Sequence, residues 1–480
     1  MPEWRRGGQP FAQALVVGDL AVGVSLPAPR IGPRVDCREP DAKLSEMRQV
    51  WAAISVATVW LLGGCGEEER PPPLRDGYAQ PVEGCEDFSY RSCDILAHDC
   101  QRELFQLVAC LRGDQGHSTE PPQVRLLSES EATAAVLDAA TELAAPAVDG
   151  EFEAMAHALE LLGLLEPGLV SAESEVLDVT IASALAFYVP ATAEVIVIDR
   201  GEPRTDLEAN GVLAHEFVHA LQDDEHDLTR FDQDSAQDSD RALAHSAVIE
   251  GEATLYELLL SLAYSGRAID HVDYPGLFAN MREYGDGLAL ADGSPMLTSP
   301  MIFPYTYGAR YMGQHWLEGD QPALAQLFEQ PPQSSLEVML PPGATELPAL
   351  ERFAVLPAPL SGYHFVADDV AGAWVLFSKL LELAGDLAAA PGLRELALAW
   401  RGDRFWVYQS DDAPGELAIL WRIDWQDADS ALHFSQLYGA DPARPAGLSV
   451  VVDGASTCVV IAEREPELSA WADLAADSIP

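Results

Sequence analysis

Basic residues are scarce in this chain. Only 28 Lys and Arg stand against 77 Asp and Glu in 480 residues, a formal net charge of −49. A surface of that sign repels phosphate backbones and anionic lipid headgroups, which excludes nucleic-acid binding and polybasic membrane docking. Nor does any apolar run reach the ~20 residues that a membrane-spanning helix needs, and no internal repeat recurs along the chain. Aromatic residues are few, at 8%, yet 48% of the chain is hydrophobic. That is enough to bury a sizeable core and excludes a disordered or collagen-like chain. The length predicts two or three domains.

The longest apolar run near the N-terminus, Val50 to Leu62, follows the short basic start Met47-Arg48-Gln49. At about 13 residues it has the length of a secretory h-region. It ends in Leu62-Gly63-Gly64-Cys65 and gives way to the acidic, Pro-rich stretch from Glu67 to Pro73. This arrangement resembles the lipobox of bacterial lipoproteins. The resemblance implies that Cys65 is the lipidated first residue of the mature chain and that Met47 is the start of translation. Residues 1–64 are then an upstream and signal segment, and 65–84 an acidic tether. The implied location is exported, on a bacterial membrane through the lipid anchor. Export agrees with the clustering of Cys85, Cys93, Cys100 and Cys110. In an oxidising compartment four such residues form two disulfides, with three connectivities open. A four-Cys metal site is disfavoured because no Cys-x-x-Cys pair is present. Cys458, inside an apolar run, reads as a small buried hydrophobe.

Residues 85–117 read as a Cys-stapled helical piece made of two short helices, and 118–345 as a mostly helical region. Within the latter, Ala186 to Val189 and Glu194 to Ile198 read as a strand pair broken at Pro190, in a small antiparallel sheet. After the Pro-rich stretch 331–359 the pattern changes. A helix around Val370 to Leu383 precedes strand-like runs at Arg404 to Tyr408, Leu417 to Trp425, Leu448 to Val452 and Cys458 to Ala462, with a helix near Asp429 to Leu437 among them. Residues 346–480 thus read as an α+β domain, and the fold class as α+β throughout.

Chemistry concentrates at His215-Glu216-Phe217-Val218-His219. The preceding Thr205-Asp206-Leu207-Glu208 is a capping-box start, and apolar residues at Val212, Leu213, Val218 and Leu221 continue the helical spacing. Two His four residues apart project from one helix face, about 5–6 Å from each other. That lets both reach a single Zn²⁺ at roughly 2.0–2.1 Å. Glu216, next to the first ligand, is placed to act as general base.

A third ligand is required. His226 lies seven residues beyond His219 where the extended metzincin motif needs six, and Gln222 stands where that motif has Gly. Glu250 and Glu252 remain, on a helix from Arg241 to Tyr264. A carboxylate from a neighbouring antiparallel helix completes a two-His, one-Glu site with a free position. The acidic stretch Asp232 to Asp240 between the two helices lacks the EF-hand ligand series and reads as a solvated loop. Here the chain resembles the gluzincin zinc peptidases. Their aminopeptidase branch supplies the third ligand from a Glu-Gly-x-Ala element, matched by Glu250-Gly251-Glu252-Ala253. The gap from His219 to Glu250 is longer than usual, so Glu252 stays open as an alternative.

The same families carry an oxyanion-binding Tyr in a Tyr-x-x-Gly element. Tyr305-Thr306-Tyr307-Gly308 matches it, with Tyr307 in place of the usual basic residue. The resemblance extends to Phe303-Pro304 and to the segment Pro331 to Glu337, and is to bacterial lipoprotein metallopeptidases with no assigned substrate. It implies a zincin-like core and a zinc-dependent peptidase acting on polypeptides. The ligands are His215, His219 and Glu250, with catalysis by Glu216 and Tyr305. Glu194 to Ile198 is the edge at which an extended peptide would pair. The alternative is a non-catalytic exported binding lipoprotein whose metal site is structural or vestigial.

Overall fold

The computed structural model describes residues 21–23, 80–82 and 85–478, apart from 91–92, 114–119, 144–149, 170–180, 182–183, 202–205, 236–237, 265–271, 292, 345–347, 351–352, 354–357, 414, 442, 444, 446 and 465–466. The expected signal segment around Met47, the expected lipidation site Cys65 and most of the expected tether lie outside the described residues.

Three short strands open the described chain: β1 (Ala21–Gly23), β2 (Gln80–Val82) and β3 (Cys85–Tyr90). β2 and β3 pair antiparallel, so the end of the 65–84 stretch is a strand rather than tether. The Cys-rich piece is β3 followed by a single helix, α1 (His98–Arg112), not two short helices. Its disulfides join Cys85 to Cys110 and Cys93 to Cys100. The first ties the strand to the end of α1; the second ties the entry loop to its start.

Next come β4 (Gln123–Ser128), α2 (Glu129–Leu143), α3 (Glu151–Leu161), β5 (Ala186–Val189) and β6 (Glu194–Asp199). β5 and β6 form the expected antiparallel pair, but β4 joins the far side of β6 in parallel, with Leu126 opposite Val197. The sheet is therefore mixed rather than antiparallel, its order β1-β5-β6-β4. Glu194 to Ile198 is not an edge, because both of its sides are already hydrogen-bonded.

Five helices follow: α4 (Asp206–His226), α5 (Leu228–Ser235), α6 (Ser239–Tyr264), α7 (Tyr274–Ala291) and α8 (Pro295–Phe303). A π-turn at Pro304–Gly308 leads into α9 (Ala309–Glu329), broken at Gly319 and Asp320, and then α10 (Ser335–Met339). The acidic stretch is not a solvated loop. α5 covers its first part, and Asp240 is buried in the first turn of α6, where it accepts hydrogen bonds from the Ser335 amide at 3.1 Å and the Ser335 hydroxyl. α6 buries apolar residues on all sides, among them Ala244, Val248, Leu255, Leu258, Leu259, Leu260 and Leu262. A helix apolar all round belongs in the middle of a core, and α6 packs there against α4, α9 and the π-turn.

The chain ends with β7 (Tyr363–Asp369), α11 (Gly372–Ala384), α12 (Ala390–Leu398), β8 (Trp400–Ser410), β9 (Leu417–Trp425), α13 (Ala428–Gly439), β10 (Leu448–Asp453), β11 (Ser456–Ala462) and α14 (Leu468–Ser478). Its five strands form an antiparallel sheet of order β10-β11-β9-β8-β7. The α+β class holds. One apolar cluster contains Leu159, Ala247, Phe303 and Tyr307 together with Trp374, Phe377, Trp421 and Val459, so the core continues across residue 345. Asp403, at the end of the tripeptide Arg401-Gly402-Asp403, is buried in that junction. It accepts from the amides of Ala371 and Gly372 and from the indoles of Trp400 and Trp421, at 2.8–3.0 Å.

Candidate metal centre

α4 carries His215 and His219 one turn apart, their ring centroids 4.8 Å from each other. α6 packs along α4 and delivers Glu250 to the same point. Glu250 Oε2 lies 3.1 Å from His215 Nε2 and 3.5 Å from His219 Nε2. One atom from each of the three residues falls within 4.8 Å of the others, and all three are buried. His215, His219 and Glu250 therefore form a group that could hold a metal ion.

The donor chemistry fits such an ion. His219 Nε2 is buried, makes no hydrogen bond and faces the Glu250 carboxylate. Two imidazole nitrogens and one carboxylate oxygen are the set that a catalytic zinc takes, with one position left over. Outer groups stand behind both rings, and one of them is hydrogen-bonded. His215 Nδ1 lies 3.4 Å from Glu257 Oε2, and His219 Nδ1 lies 2.8 Å from Gln222 Oε1.

Electrostatics in the metal-free site follow from this crowding. Burial alone would lower the His215 pKa, but hydrogen bonds to Glu250 and Glu257 and the nearby Glu216 charge raise it to about 10. Burial would raise that of Glu250; the imidazoles of His219 and His215 beside it hold it at about 2. A cation held by these residues would have to displace the His215 proton.

Glu252 is not part of this group. It accepts from Arg112 Nε at 3.1 Å, Gln222 Nε2 at 2.8 Å and Gln321 Nε2 at 3.1 Å, on the side of α6 away from Glu250. Nor is His226, whose ring stacks on Phe328 with centroids 4.2 Å apart. Glu216 is fully buried, and its charge acts on both His215 and Tyr305.

The structure brings Tyr305 to the same place, its ring stacked on His215 with centroids 6.0 Å apart. Burial, then the charge and hydrogen bond of Glu250, push its pKa far up, so the hydroxyl stays a donor at neutral pH. Tyr307 faces elsewhere: its hydroxyl donates to Asp286 at 2.7 Å and accepts from Arg394 at 3.0 Å. That bond anchors the π-turn while Tyr305 points at the cluster. π-turns of this kind concentrate at functional sites.

The sequence expectations missed the supports. Gln222 and Glu257 had a local signal, since they stand three residues beyond His219 and seven beyond Glu250 on the same helices. Arg112 had none, being 140 residues from Glu252. Asn210 of α4 grips the Cys-rich piece as well, donating to Cys93 O at 2.9 Å and accepting from Cys93 N at 3.1 Å. Phe105 packs edge-on against Phe217. The stapled piece is a buttress of the His-bearing helix.

A family profile, described as a domain of unknown function (DUF8575), matches residues 363–471. The match runs from β7 into α14 and contains none of the metal-centre residues. No curated protein and no solved structure matches the chain. Cys458, within the matched region, is buried, and burial pushes its thiol up to about 12. Among the described residues no helix is long and apolar enough to cross a membrane.

Proposed function

We propose that the chain is a zinc-dependent peptidase, exported and held at a bacterial membrane by lipid on Cys65. The observation that carries this reading is the convergence of His215, His219 and Glu250, with Glu216 and Tyr305 beside them. Zinc, when bound, supplies a Lewis acid that brings the pKa of water towards about 7. His215, His219 and Glu250 hold it. Glu216 takes a proton from the attacking water and returns it to the leaving amine. Tyr305, kept protonated by its surroundings, donates a hydrogen bond to the oxygen that gains charge as the peptide carbonyl is attacked.

Glu216→Gln keeps the shape of the site and removes its base. Purified variant and wild type are compared for zinc content by metal analysis and for hydrolysis of a general protein substrate. The reading predicts equal zinc and loss of cleavage in the variant; equal cleavage would sink it.

One observation favours a second reading. His215, Glu216, His219, Glu250 and Tyr305 are all buried, Glu250 being the most accessible at 5%. A non-catalytic binding lipoprotein with a structural metal needs no access to its site. It predicts zinc without cleavage in the wild type and a fall in melting temperature when a chelator removes the ion.

A further inference from the structure

His219 can serve a cation through Nε2 only if its proton sits on Nδ1. The side chain that meets Nδ1 is the Gln222 amide, and which end of that amide faces the ring decides the tautomer. Gln222 Nε2 donates to Ile249 O at 2.9 Å and to Glu252 Oε2 at 2.8 Å. Both amide hydrogens are thus used on acceptors of α6. The remaining atom, Oε1, faces His219 Nδ1 at 2.8 Å and can only accept.

Glu252 itself is held still. Arg112 reaches its Oε1 through Nε at 3.1 Å and Nη2 at 3.0 Å, and Gln321 donates to the same atom at 3.1 Å. A second carboxylate, Glu225, takes Arg112 Nη2 at 3.1 Å. Arg112 is the last residue of α1, two positions after Cys110 and its disulfide to Cys85. Arg112 and Glu252 are both without solvent exposure, where a charge-assisted pair of this geometry is strong and its loss costly.

We propose that Arg112, Glu252 and Gln222 form a relay from the disulfide-stapled piece to the metal centre, one that fixes His219 as the Nδ1–H tautomer and so presents Nε2 to the cation. All three are positioning residues: Gln222 acts directly on the ligand, and Arg112 acts through Glu252. The inference rests on the metal-centre reading above, but its tautomer part is read without metal.

Two measurements test it on the full-length protein with ¹⁵N-labelled histidine. The first is a long-range ¹⁵N–¹H correlation of the metal-free protein. It should show a hydrogen-bonded proton on His219 Nδ1 and none on Nε2 in the wild type, and a shifted Nδ1 resonance in Gln222→Met, which matches the volume but lacks the amide. The second is zinc affinity by chelator competition. Gln222→Met should lose about 10–100-fold, the usual cost of removing a ligand's outer partner. Arg112→Lys, which keeps the charge without the fork, should lose less than Gln222→Met while shifting the same His219 resonance. If Gln222→Met does not fold, that shift in Arg112→Lys carries the test. An unprotonated Nδ1 in the wild type, or unchanged His219 resonances in both variants, overturns the relay. So does zinc binding by Gln222→Met equal to that of a zinc-binding wild type. A wild type that takes up no zinc but shows the Nδ1 proton overturns the zinc reading and upholds the relay.

Discussion

Gly251 and Gly308 face one another where α6 meets the π-turn. A Cβ on Gly251 would lie 2.5 Å from the carbonyl carbon of Gly308, and one on Gly308 would lie 2.6 Å from the carbonyl oxygen of Ala247. No side chain fits between these backbones. The contact sets Glu250 and Tyr305 against each other, since each stands beside or within three residues of one of the two glycines. The Glu-Gly-x-Ala and Tyr-x-x-Gly elements are thus two halves of one joint, and the glycines are there for close approach.

Gly251→Ala should therefore destabilise the fold by about 1–3 kcal/mol, the usual cost of forcing an extra group into a packed contact. It should also displace Tyr305. Urea unfolding gives the first quantity, and loss of zinc-dependent cleavage with zinc retained reports the second. An unchanged unfolding midpoint would show that the joint is looser than described.

Zinc affinity should rise steeply with pH. Because His215 in the metal-free site titrates at about 10, a cation entering at neutral pH must displace its proton. Apparent affinity should climb about tenfold per pH unit between pH 6 and 8, and proton release on binding should be visible by calorimetry in buffers of different ionisation enthalpy. A flat dependence would show that His215 is already neutral in the bare protein.

Stability should move the other way at the junction near α11. Burial raises the Asp369 carboxyl from 3.8 to about 7, despite hydrogen bonds from Ser239 and Val370 that lower it. The folded chain then binds more protons than the unfolded one across that window. Its contribution is present below about pH 4 and is lost as pH rises towards 7, by up to about 1.4 kcal/mol per pH unit. Denaturation of the metal-free protein at pH 5 and 7.5 should show a smaller difference in Asp369→Asn than in the wild type. Equal differences would assign the slope to other groups.

Much of the centre was legible because it is local. His215, Glu216 and His219 share one helix, and periodicity placed that helix and the next. The Glu-Gly-x-Ala motif favours Glu250 over Glu252, and the physical reason lies in the tertiary structure: Glu252 is bound to Arg112, a partner without any local signature. The strands from Arg404 to Ala462 announced themselves through β-branched and aromatic runs. The parallel pairing of β4 with β6 did not, because pairing is a long-range choice that strand composition does not encode. The acidic stretch misled for a related reason. Its charges suggested solvent, yet Asp240 is buried by the Ser335 hydroxyl and amide, donors from a segment 95 residues on.

Zinc stoichiometry of the purified protein, with X-ray absorption at the zinc edge, decides whether His215, His219 and Glu250 form a metal centre. One zinc per chain is expected, bound by two imidazole nitrogens and a carboxylate oxygen, and none in His215→Ala or Glu250→Ala. A wild type that binds no zinc, or variants that retain it, would show that these residues do not hold the ion.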